Sequence, residues 1–136
     1  MTGWPKDKTV RIYLYWVTNS DPTPYSFATL DRSQLWLSAI VATELRFGAA
    51  KLASPRFQAA VEAWLAGFDL RPWPLAASHH YAQARTALER AGLPIGGMDL
   101  MIAAHALAED SVIITNNARE FHRVPCLAVE EWAVQG

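Results

Sequence analysis

The chain has 136 residues, of which 51% are hydrophobic and 18% charged, with a formal net charge of −1. That length predicts one domain, residues 1–136, able to bury a sizeable core, and the near-zero charge excludes a broad electrostatic grip on nucleic acid while leaving room for a local basic rim. A single cysteine, Cys126, excludes an intrachain disulfide framework and suits a reducing compartment. The N-terminus lacks the basic–apolar–small layout of a secretory signal, and no apolar run is long enough to span a bilayer, so a cytoplasmic location is expected.

Residues 1–9 are polar, carry Pro5, and read as a frayed lead-in. Residues 10–17 (VRIYLYWV) are a dense β-branched and aromatic run of the length of a buried strand. Residues 18–34 hold Pro22, Pro24 and several Ser, Thr and Asp without a clear apolar period, which predicts a loop with at most a helical turn. Residues 35–41 (LWLSAIV) read as a second buried strand passing directly into a helix that contains Glu44 and Arg46. From Pro55 to Gly67 apolar residues recur at helical spacing, with proline suited to the first turn and glycine to the stop. A short strand is expected over 68–73, closed by Pro74, and a long helix over 75–91, ended by Gly92 and Pro94.

A Pro/Gly turn, 94–97, then opens a helix over about 98–109 whose residues after Asp99 are almost all small or apolar. A helix apolar on nearly every side is normally buried. Asp99 therefore sits in the first turn of a core helix, near the positive end that favours an anion, as either a capping group or part of a site. Residues 111–115 (SVIIT) are a third strong strand, 126–129 a last short one with Cys126 as a packing residue, and a polar tail is expected from Glu130. Strands alternating with helices imply crossover connections, hence an α/β fold with a mostly parallel sheet covered on both faces.

In open α/β sheets ligands bind outside the carboxyl ends of the strands. Glu44 follows the second strand, Glu120 follows the third, and Asp99 heads the helix leading into the third. If the three carboxylates converge, the common way to hold them together is a hard divalent cation such as Mg²⁺ or Mn²⁺. Each of them, taken separately, also has the ordinary reading of a solvated or capping residue.

The stretch 93–106 (LPIGGMDLMIAAHA), followed by Ile114-Thr115-Asn116-Asn117-Ala118-Arg119-Glu120-Phe121 and Val124-Pro125, closely resembles the VapC branch of the PIN-domain ribonucleases, toxins of type II toxin–antitoxin pairs. Residues 44–49 (ELRFGA) match that family's second acidic motif, and 127–132 its closing strand and tail, so the resemblance runs over about residues 35–132. The resemblance implies a compact α/β/α sandwich, a Mg²⁺ or Mn²⁺ site built from about four acids, and endonucleolytic cutting of RNA. It makes Glu44, Asp99 and Glu120 metal-site and catalytic carboxylates, with Thr18, Thr115, Asn116 and Asn117 shaping the floor of the site. Arg46 and Arg119 would be phosphate contacts or intersubunit partners, with surface or helix-end pairing as the plain alternative. A homodimer and a cognate antitoxin, laying a helix in an apolar groove, are also implied.

One position departs from that pattern. The family's first acid normally ends strand one in Asp-Thr-Asn, whereas Trp16-Val17-Thr18-Asn19 has valine there, and 18–34 is shorter than the family's usual helical hairpin. Valine can neither coordinate a cation nor orient its water. Asp21 and Asn19 are the substitute ligands on offer, although Pro22 restricts Asp21 toward extended geometry. The competing expectation is a catalytically weak or dead PIN-like module that binds an antitoxin and takes part in regulation. His79, His80, His105 and His122 lack zinc-like spacing with Cys126, and His105 reads as a hydrogen-bonded core histidine.

Overall fold

The computed structural model describes residues 10–12, 35–115 and 118–131. One sheet holds β1 (Val10–Ile12), β2 (Leu35–Ser38), β3 (Asp69–Arg71), β4 (Val112–Thr115) and β5 (Val129–Glu131), in the order β3-β2-β1-β4-β5. Every pairing is parallel, with Val10 opposite both Leu35 and Val112, Trp36 opposite Asp69, and Ile113 opposite Val129. Parallel neighbours need crossovers, and these are supplied by α1 (Ala39–Leu52) and α2 (Pro55–Leu65) between β2 and β3, then α3 (Ala77–Arg90) and α4 (Gly97–Ala108) between β3 and β4. All residues of β2 and β4 are buried, so both faces of the sheet are covered, as an α/β/α sandwich requires. The continuation of the first strand over 13–17, the loop 18–34 and the tail from Trp132 lie outside the described residues.

The second strand stops three residues before the expected boundary. Ser38 leaves the sheet in an extended conformation and its Oγ accepts the Ile40 N–H at 3.1 Å, which caps α1 and draws Ile40 and Val41 into the helix. A short apolar run reads the same in a strand and in a buried helix turn, which is why composition alone overran the boundary. Ser54 caps α2 by accepting the Phe57 N–H at 3.2 Å, with Pro55 at the first helical position. α3 and α4 both end in paired closing bonds. Leu93 N–H and Gly92 N–H bond to Leu88 and Glu89 carbonyls, with Gly92 at φ +72°; Ser111 and Asp110 do the same to Ala106 and Leu107, with Asp110 at φ +51°.

The last strand lies later than expected. Cys126 sits at φ +67°, outside any strand geometry, in an exposed turn, so it is not a packing residue. β5 begins only at Val129 and takes in Glu130 and Glu131, which the polarity of the tail had concealed.

The core runs from Leu37, Val41 and Leu65 through Ile102, Ala103 and Ile113 to Phe121. α4 has buried residues from Leu100 to Ala106, as its composition predicts. Its His105 is fully buried, its ring tilted 58° against the Trp36 ring with the centroids 4.5 Å apart and its Nδ1 2.8 Å from Ser38 Oγ. The Trp36 indole N–H donates to Ser111 Oγ at 3.2 Å, and the Arg71 guanidinium lies 4.8 Å from the Trp36 ring centre. The cap of α1 is thus bonded to the last turn of α4, 67 residues away. Removing one member of a buried pair strands the other, whereas removing both by apolar groups is close to neutral. We expect His105→Leu and Ser38→Ala each to lower unfolding free energy by about 1–3 kcal/mol. The double variant should lose clearly less than the sum in urea titrations, and strict additivity would show that the bond contributes nothing.

Candidate active site

Along the sheet the chain order reverses between β1 and β4, and in doubly wound folds the crevice at that reversal, beyond the carboxyl ends of the strands, is where ligands bind. β4 reaches this edge at Thr115, which is fully buried. Asp99 is the third residue of α4 and half-buried, in a first turn whose N-cap, Gly96, offers no side-chain bond. The positive end of that helix favours an anion there. Glu44 lies on the sixth residue of α1, inside the helix, and its Oε1 is buried. Glu120 lies half-buried in the turn before a single 3₁₀ turn, Phe121–Arg123, which the fully buried Phe121 ring pins to the core. α4 packs against both α1 and that 3₁₀ turn, and Arg123 Nη1 donates to the Pro94 carbonyl at 3.0 Å just ahead of α4.

The three acid-bearing elements are therefore neighbours around α4, but their side chains do not form a ready cage. Among the described residues no group of three or more His, Cys, Asp or Glu is close enough to hold a metal ion. A fit remains for a sparser site, because Mg²⁺ is usually held by one or two carboxylates with water and substrate phosphate completing the octahedron. A half-buried carboxylate at a helix head and a buried glutamate oxygen are hard donors of that kind. Val17, Thr18, Asn19, Asp21, Asn116 and Asn117 lie outside the described residues.

The two arginines separate. Arg46 is engaged by Glu62 in a bidentate pair, Nε to Oε2 at 2.8 Å and Nη2 to Oε1 at 2.9 Å, tying α1 to α2. The hydrogen bond, then the charge of Glu62, raises the guanidinium pKa, and the bond from Arg46 holds the Glu62 carboxyl below its ordinary value. Stabilisation from a depressed carboxyl is present at neutral pH and lost as pH falls through that lowered pKa; for so exposed a pair it is small. Arg46 therefore takes the helix-pairing alternative. Arg119 is exposed, one residue before Glu120, and no ion pair to another described residue engages it. Of the polar residues above, Ser38 was missed by sequence reasoning, although a serine directly ahead of helical composition is a cap signal.

An all-parallel sheet with reversed order, helices on both faces and acids along the carboxyl edge defines a doubly wound α/β domain with a candidate hard-cation site. The PIN-domain family model matches residues 7–126. The tRNA(fMet)-specific endonuclease VapC of Salmonella typhimurium is 39% identical over 104 residues, covering 76% of this chain and 79% of that protein. Its namesake in Shigella flexneri is 34% identical over 123 residues, covering 90% and 93%. Among solved structures, DNA-bound VapBC from Salmonella typhimurium superposes with a TM-score of 0.75 at 38% identity, over 79% of this chain and 83% of that one. FitAcB from Neisseria gonorrhoeae does so at 0.69 and 26% identity, over 80% and 86%. The chain belongs to the PIN-domain family, in its VapC branch. Among the described residues no helix is long and apolar enough to cross a membrane.

Proposed function

We propose that this chain is a Mg²⁺- or Mn²⁺-dependent endoribonuclease, the toxin of a type II toxin–antitoxin pair, acting in the cytoplasm on a structured RNA such as a tRNA. The carrying observation is Asp99, a half-buried carboxylate at the head of a buried helix beside the sheet's reversal point, in a chain of the VapC branch. The ribonuclease names of the relatives support the substrate class, and the VapBC complexes among the structural neighbours support an antitoxin partner. Asp99 and Glu44 would hold the cation, with Glu120 contributing a further carboxylate as substrate closes on the site. The cation would supply charge neutralisation at the phosphate and activation of a water for in-line attack. Arg119 would meet a flanking phosphate, and Thr115 would fix the floor at the end of β4. A homodimer would set two such sites facing a shared channel.

The second reading, a PIN-like module with little or no catalysis, is favoured by two observations: Val17 in place of an acid, and the lack of a three-ligand group among the described residues. Incubating the purified protein with bulk tRNA separates them. The enzyme reading expects discrete cuts that stop on EDTA and return with excess Mg²⁺ or Mn²⁺. Cutting that ignores the chelator would overturn the metal-dependent reading, and intact tRNA at every metal concentration would favour the module.

A further inference from the structure

A cleft of about 190 Å³ lies between α3 and the start of α4, on the flank of the helix head that carries Asp99. Its floor is apolar, from Leu88, Ile95 and Leu100, and its polar wall is a run at helical spacing on α3: Tyr81, Arg85 and Glu89. Arg85 is held in place from both sides. Its Nε donates to Glu89 Oε2 at 2.8 Å and its Nη1 to the Tyr81 hydroxyl at 3.0 Å, with the guanidinium 6.0 Å from the Tyr81 ring centre. Its Nη2 has no bond to another described residue.

Building on the ribonuclease reading, we propose that this cleft receives one unpaired base of the RNA beside the scissile phosphate. The volume is below the roughly 300–1,000 Å³ of a small-molecule pocket, which suits one planar ring system in place of a whole nucleotide. Arg85 and Glu89 together carry no net charge, so a phosphate would gain little there. A base edge that sets an acceptor beside donors uses both, and the Watson–Crick edge of guanine does so: O6 accepts from Arg85 Nη2 while N1–H and the N2 amine donate to Glu89. The base ring covers the apolar floor and lies against Tyr81, the arrangement by which proteins hold splayed-out RNA bases. Gly97 lines the cleft and Asp99 is two residues further along, so a base seated here places its own backbone at the helix head.

The test compares the full-length native protein with Arg85→Gln, Glu89→Gln and Tyr81→Phe, using a short single-stranded oligoribonucleotide containing one guanosine. Binding is followed by fluorescence anisotropy in EDTA, and cleavage with Mn²⁺ gives KM and kcat separately. Arg85→Gln is expected to weaken binding and raise KM about tenfold, within the range of a lost base contact, with kcat within about twofold of native. Tyr81→Phe, which keeps the ring and removes the hydroxyl that orients Arg85, should fall between. Replacing guanosine by inosine should weaken native binding and leave Glu89→Gln unaffected. Unchanged KM in all three variants, with native melting curves, would overturn the pocket while leaving the ribonuclease reading intact. A native protein that neither binds nor cuts the oligonucleotide yet cuts bulk tRNA would overturn the pocket, whereas one that leaves bulk tRNA intact as well would remove the ribonuclease reading itself. Variants that fall from dimer to monomer in sedimentation with RNA affinity preserved would also overturn the pocket, because the cleft would then be covered by a second copy of the chain.

Discussion

Asp99→Asn is expected to reduce metal-dependent cleavage by about 10²–10⁴-fold, since a bound cation contributes several kcal/mol of charge stabilisation and about 1.4 kcal/mol is tenfold in rate. The same substitution should barely move stability. Asparagine has the shape of aspartate, and a charge in the first turn of a helix contributes only about 0.3–1 kcal/mol, or up to about 2 where partly buried. This asymmetry separates the two roles open to the residue. A carboxylate that served only the head of α4 would show its loss in a urea titration and hardly at all in the rate. A carboxylate that holds the cation would show the reverse, with the rate collapsing while the midpoint stays near native. The placement of Asp99 favours the second outcome, because the helix is already secured by burial from Leu100 to Ala106 and a charge at its head adds little to that. Measuring single-turnover cleavage and urea midpoints on the same preparations decides it; an intact rate with a lowered midpoint would reduce Asp99 to a helix-end charge.

The elements legible in the sequence were those whose physics is local. The continuous apolar run after Asp99 specifies a buried helix whatever it packs against, and Gly92 followed by Pro94 ends α3 by a conformation few other residues adopt. Alternation of strands and helices implied the parallel sheet, although not its order. The misplaced boundaries fall where a distant partner decides. Ser38 ends β2 because its hydroxyl serves both the Ile40 N–H and His105, and the second bond spans 67 residues. The apolar run around Cys126 carries no sign that the chain turns there at positive φ, which delays β5 to Val129. At the site, motif spacing identified which elements bear the acids, and α4 does touch both of the others. Spacing carries no information on side-chain reach, and among the described residues no group of three or more such side chains is close enough to hold a metal ion. Arg46 was ambiguous for the same reason: only the packing of α1 on α2 reveals Glu62 as its partner.

Placing an acid at Val17, where the family resemblance expects one, should have the opposite effect to removing Asp99. Val17→Asp is expected to raise cleavage at sub-saturating metal by at least about 10–100-fold, the scale already typical of losing a group that merely supports a metal ligand. The reasoning is a count of charge. A Mg²⁺ site built from one or two carboxylates keeps several waters and binds weakly, and each added carboxylate lowers the metal concentration needed for half-maximal rate. The gain should therefore be largest at low metal and shrink as Mg²⁺ or Mn²⁺ saturates, which distinguishes a ligand effect from a general improvement in folding. If native protein is silent and Val17→Asp alone arrests growth on expression, the chain is a binding module derived from an enzyme. If native protein cuts tRNA and Val17→Asp changes nothing at any metal concentration, the lost charge has been supplied from elsewhere. Asp21 is then the residue to test, four positions on: Asp21→Asn in the native background should abolish cleavage if it has taken over that role, and Asn19→Ala should do so if a neutral oxygen suffices. Native-like cutting in both would mean that the site works without any ligand from residues 17–21.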